Sequence, residues 1–102
     1  MSLQAKILTL LAGVNDPTLR LDVATTINYL LNVYISGNAD EKEIYTSIYE
    51  VCKDVLTFKH PDLTSEEIEK IAKDFANEFI ALFRIQRVTR RSIIRFGRRM
   101  LF

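Results

Sequence analysis

Apolar residues recur at helical spacing along nearly the whole chain. Leu3, Ile7, Leu10 and Leu11 follow i, i+4, i+7, i+8, the spacing of one buried helix face, and this first segment ends at Gly13. Asn15-Asp16-Pro17 marks a new start: Asp16 is placed to cap free N–H groups, and Pro17 stands where a missing donor costs nothing. The second helix runs from there to about Ser36, with Val23, Ile27, Leu30, Leu31 and Tyr34 on one side and Gly37 as a left-handed stop. Asp40 and Glu43 open a third helix as a capping-box-like pair, with Ile44, Ile48, Val51, Cys52 and Val55 facing inward. His60-Pro61 closes it, because proline disfavours helical geometry in the residue before it. Thr64 with Glu67 is a second capping box, and Ile68, Ile71, Phe75, Phe79, Leu82 and Phe83 form the inner face of the fourth helix.

The connections are short, so neighbouring helices should run antiparallel. The expected fold is all-α: a small antiparallel helical bundle with a short N-terminal helix, three longer helices and a basic C-terminal helical extension. Residues 1–87 form the bundle, and residues 88–102 a basic amphipathic helix or extension of the same single domain. Helices two and three should each be roughly 30 Å long. The fourth pattern continues to about Met100, which would make a continuous helix of roughly 54 Å. It must protrude or fold back. The weak point is Gln86–Thr89: Gln86 and Arg90 fall on the apolar face, Val88-Thr89 is a β-branched pair, and Thr89 is a possible cap for a fifth helix, Arg90–Met100.

Composition narrows the classes. The 102 residues fit one domain, and 48% apolar with 26% charged residues is enough to build a core. Gly and Pro together number only five, too few for the turns of an all-β chain. The long uncharged runs, Ile7–Val14 and Val23–Ala39, are too short or too rich in Thr and Asn for a membrane span. Ser2–Gly13 looks superficially like a signal peptide, but its charged and apolar regions are short and no small-x-small cleavage site follows. A cytoplasmic protein with a free thiol is the simpler expectation.

Charge changes the picture more. Residues 1–78 carry seven basic side chains against all thirteen acidic ones, a net −6; residues 79–102 carry seven arginines and no acid, a net +7. At about 100° per residue, Arg84, Arg87, Arg91, Arg95, Arg98 and Arg99 share a helix face about 120° wide. Ile93, Phe96, Gly97, Met100 and Leu101 lie opposite, with Ile94 further round. Arginine's planar fork suits phosphate or carboxylate, and six of them with no acid depart from the mixed signs of an ordinary solvated face. The expected function is a small helical nucleic-acid-binding protein that contacts phosphates through this stripe with weak sequence preference. The alternative is a structural or assembly protein whose basic helix mediates oligomerisation or docks on an acidic protein partner. A homodimer is expected through Ile93, Phe96, Met100 and Phe102, because the apolar end Met100-Leu101-Phe102 gains little by staying wet. Surface binding to a membrane ranks last among the readings of the stripe. A compact helix-turn-helix does not fit, because Ala76–Gln86 continues the helical pattern where a tight turn is needed.

Catalytic chemistry is not expected. Cys52 lies on an apolar stripe and reads as a buried structural thiol, and His60 precedes Pro61 at a helix end, where it reads as a cap or a surface residue. One Cys with one His cannot make a Cys/His zinc site, no Glu-x-x-His motif occurs, and the glycines stand alone rather than in a phosphate loop. No cofactor, metal or small-molecule substrate is expected. Tyr45 and Tyr49 share a face at i, i+4 and read as core-edge residues before base-stacking ones.

Overall fold

In the computed structural model four helices appear in the expected order: α1 (Leu3–Leu10), α2 (Pro17–Ser36), α3 (Glu41–Lys59) and α4 (Ser65–Met100). The structure describes the backbone of residues 2–100 and the side chains of residues 2–89. It is an all-α bundle.

The boundaries follow local chemistry. Asp16 accepts hydrogen bonds from the N–H groups of Thr18 (2.9 Å) and Leu19 (3.2 Å), with Pro17 at the first helical position. At the far end of α2, Gly37 takes φ +77°, and the Gly37 and Asn38 N–H groups donate to Tyr34 and Val33 carbonyls, a complete Schellman cap. Asp40 caps α3 through the Glu43 N–H at 2.8 Å. The Thr64–Glu67 box is reciprocal: the Glu67 N–H donates to Thr64 Oγ1 (3.2 Å) and the Thr64 N–H to Glu67 Oε1 (3.0 Å). The Thr64 backbone N–H, and after it the Thr64 side chain, also hold the Glu67 carboxyl below its ordinary range.

The core is apolar throughout, with no buried polar or charged residue among those described. α1 contributes Leu3, Ile7 and Leu10, α2 the expected five residues, and α3 Ile44, Ile48, Cys52, Val55 and Leu56. In α4 the buried line is Ile68, Ala72, Ala76, Phe79, Ile80 and Phe83, while Ile71, Phe75 and Leu82 are only half-buried. Ala72 and Ala76 stand at i, i+4, and side chains this small let α4 approach its neighbours closely, α3 above all.

The short helix α1 is held by cations from distant segments. Lys59 Nζ donates to the Leu10 carbonyl at 2.8 Å, and Arg20 donates to the Leu11 and Val14 carbonyls, both at 2.9 Å. Lys59 thus satisfies a carbonyl in the last turn of α1, which has no basic residue of its own there. Arg20 pins two carbonyls just past it, that of Leu11 also accepting the Val14 N–H. Burial lowers the Lys59 ammonium from its usual pKa. Lys6 pairs with Glu78, tying α1 to α4, and its ammonium lies 5.5 Å from the Phe75 ring centroid.

No fifth helix starts at Thr89: α4 is one continuous helix through Gln86–Thr89. A β-branched pair costs only a few tenths of a kcal/mol in helix propensity, whereas breaking the helix opens several backbone hydrogen bonds, of which a Thr89 cap would replace about one. At 36 residues α4 outruns α2 by about 24 Å, taking about 1.5 Å per residue. The molecule is accordingly elongated, 59 × 27 × 22 Å.

Candidate nucleic-acid interface

The basic segment begins where α4 leaves the bundle, beside the C-terminal end of α2 and the first turn of α3. Four side chains meet there. Tyr34 is 2% exposed. Its ring tilts against Phe83 at 5.9 Å and 47°, and its hydroxyl donates to Glu41 Oε2 at 3.2 Å. Glu41, next to the Asp40 cap, faces the positive end of α3. Arg84 grips it with two donors, Nε to Oε2 at 3.3 Å and a terminal nitrogen to Oε1. The Arg84 hydrogen bond is the main reason Glu41 is held below its ordinary pKa, and Glu41 in turn raises the pKa of Arg84.

Arg87 lies one turn further on. Its guanidinium carbon is 4.5 Å from the Tyr34 ring centroid, a cation–π contact, while its Nε is buried without a hydrogen-bond partner. Of the six stripe arginines, then, Arg84 and Arg87 contact the chain's own bundle. Arg91 and Arg95 lie on the continuing backbone of α4, as do Arg98 and Arg99, and their side chains are outside the described residues. The same holds for Ile93, Phe96 and Met100, while Phe102 lies outside entirely.

Sequence reasoning missed two apolar groups on the same stretch. Ile85 is 61% exposed and Val88 65%, both at or beside the arginine face on helical register. The signal was present in the wheel but was overshadowed by the charges around it.

The other candidate groups sit where packing needs them. Cys52 is fully buried, and burial pushes its thiol up to about 12, far from a reactive thiolate. His60 closes α3, its N–H donating to the Leu56 carbonyl at 2.8 Å. Tyr45 and Tyr49 are half-buried against the core, with Lys53 Nζ 6.0 Å from the Tyr49 ring centroid. Among the described residues no group of His, Cys, Asp and Glu is arranged to hold a metal ion, and no helix is long and apolar enough to cross a membrane. No protein-family model, curated protein or solved structure matches the chain.

Proposed function

We propose that this chain is a nucleic-acid-binding protein that contacts backbone phosphates through the part of α4 that runs past the bundle. The observation that carries the reading is the unbroken α4, whose last part, residues 88–100, extends past the acidic body with five arginines and no acid. Arg84 and Arg87 already have partners in Glu41 and Tyr34, so the contact set narrows to Arg91, Arg95, Arg98 and Arg99. From Arg91 to Arg99 the helix rises about 12 Å, a span over which a duplex presents roughly seven phosphates. A helix laid across the backbone meets several of them without reading bases. No catalytic step and no cofactor belong to this reading.

The test is fluorescence anisotropy of a labelled DNA duplex and a labelled RNA strand against the full chain over a salt series. Four phosphate contacts give a slope of log affinity against log salt near −3.6 on duplex DNA and about −2.8 on a single strand. That amounts to roughly a hundredfold loss between 50 and 200 mM salt. Arg91→Ala, Arg95→Ala, Arg98→Ala and Arg99→Ala should each flatten the duplex slope by about 0.9, and Arg84→Ala by less. No binding at low salt overturns the reading. A loss confined to one target sequence replaces it with base readout.

A further inference from the structure

Between α2 and α3 lies an open groove of about 130 Å³, lined by Leu19, Asp22, Val23, Thr26, Val51, Asp54 and Val55. The volume is well below the roughly 300–1,000 Å³ of a small-molecule site, and suits a side chain or two from a partner helix. Its walls have a distinct chemistry. Valines from both helices make an apolar floor, and one exposed carboxylate from each helix stands on the rim. Neither Asp22 nor Asp54 is in an ion pair with any described residue. The groove therefore suits an amphipathic helix carrying arginines beside an apolar residue.

Residues 88–102 are such a segment. On helical spacing Ile94 lies between Arg91 at i−3 and Arg98 at i+4, an apolar residue flanked by two cations. The chain cannot place this segment in its own groove. Asp22 is about 18 Å along α2 from Tyr34, and Asp54 about 20 Å along α3 from Glu41, so the groove lies well back from the point where α4 leaves. The continuous α4 runs the other way. A second copy has no such constraint, and it supplies segment and groove in equal number. The opposite charges, −6 on residues 1–78 and +7 on residues 79–102, favour that contact over tail against tail, which would bring two +7 segments together.

We infer that the α2–α3 groove receives the arginine-rich end of α4 from a second copy of this chain, with Ile94 over the valine floor and Arg91 and Arg98 on Asp22 and Asp54. The contact joins two different surfaces, so it closes as a reciprocal pair or propagates head to tail. It draws on Arg91 and Arg98, two of the four arginines proposed above to contact phosphate, so it competes with nucleic acid for them. Its test contains no nucleic acid.

The experiment uses two full-length, nuclease-treated variants, Asp22→Lys/Asp54→Lys and Arg91→Glu/Arg98→Glu, measured by light scattering across a concentration series at low salt. The wild-type chain should have an average mass at least 1.5-fold above the monomer, and each variant alone should fall to the monomer mass. Mixed in equal amounts, the two should regain a complex, because reversed charge then meets reversed charge. Far-UV circular dichroism checks the fold, and Asp22→Asn/Asp54→Asn stands in if the reversal unfolds the chain. Asp62→Lys/Asp74→Lys, an equal charge change at exposed positions away from the groove, should keep the wild-type mass. A monomeric wild type overturns the inference. So does a groove variant that still associates, a mixture that stays monomeric, or a control that loses mass equally.

Discussion

Tyr34 links three interactions at the point where α4 leaves the bundle, and two substitutions separate them. Tyr34→Phe removes only the hydroxyl. Its acceptor, Glu41, keeps the Arg84 hydrogen bonds and is partly solvated, so the loss should be about 0.5–1 kcal/mol. Tyr34→Ala removes a ring that is 2% exposed, abandons the Phe83 contact and leaves the Arg87 guanidinium without its platform. Large aromatic truncations in a core cost about 3–5 kcal/mol, and the loss of two ring contacts places this one near the upper end. Against a total stability of roughly 5–15 kcal/mol, this variant sits close to unfolding. Urea titration followed by far-UV circular dichroism measures both. With a slope of about 1.5 kcal/mol per molar, the midpoint should fall by about 0.5 M for Tyr34→Phe and by 2–3 M for Tyr34→Ala. A cycle with Arg87→Ala should give a coupling of about 0.5–1 kcal/mol between the ring and the guanidinium. Equal losses for Phe and Ala, or no coupling to Arg87, would refute the placement of this ring between Phe83 and Arg87.

Three further outcomes follow from the same geometry. Cys52 is fully buried with its thiol pushed up to about 12, so a thiol reagent at mildly alkaline pH should label the native chain at least a hundredfold more slowly than the urea-unfolded chain. Glu41 is held below its ordinary value of 4.5, so the Arg84–Glu41 contribution to stability is fully present above that pH and drains away as pH falls through the lower folded value. Thermal melts of Arg84→Met should therefore lose less stability across that acid range than melts of the wild type, and parallel curves would count against the pair. Gly37→Ala forces an L side chain into φ +77°, although nothing lies within 4 Å of the added carbon, so the expected cost of about 1–2 kcal/mol is backbone strain alone and should appear as a lowered urea midpoint.

Much of the fold could be read directly. The start of α2 at Asp16-Pro17, its stop at Gly37 and the Thr64–Glu67 box are all local devices, where a few residues determine their own backbone geometry. What could not be read depends on distance along the chain. Lys59 and Leu10 are separated by 49 positions, and no local pattern says that this lysine ends α1. The inner face of α4 holds Ile68, Phe79 and Phe83 as expected, but Ala72, Ala76 and Ile80 take the buried places expected of Ile71, Phe75 and Leu82, because a packing surface rewards closeness as well as apolar size. The arginine stripe was visible as a pattern, but its division was not. Glu41 and Tyr34 lie more than 40 positions before Arg84 and Arg87, and only the antiparallel pairing of α3 with α4 brings them together.

That division bears on how the segment works. Arg84 and Arg87 hold α4 to α2 and α3 at its last turns of contact, and the helix continues from there without a break. The later arginines thus start from an anchored helix whose register is set by Glu41 and Tyr34. A flexible basic tail would lose conformational entropy on settling against a polyanion, and a helix already formed and anchored loses less of it. On the proposed reading, the two arginines nearest the bundle orient the rod and the other four of the stripe make the phosphate contacts. Substitutions on the two sides of Val88 should accordingly differ in kind: those at Arg84 and Arg87 should lower stability along with affinity, whereas those at Arg91, Arg95, Arg98 and Arg99 should change the salt slope and leave the melting curve where it was.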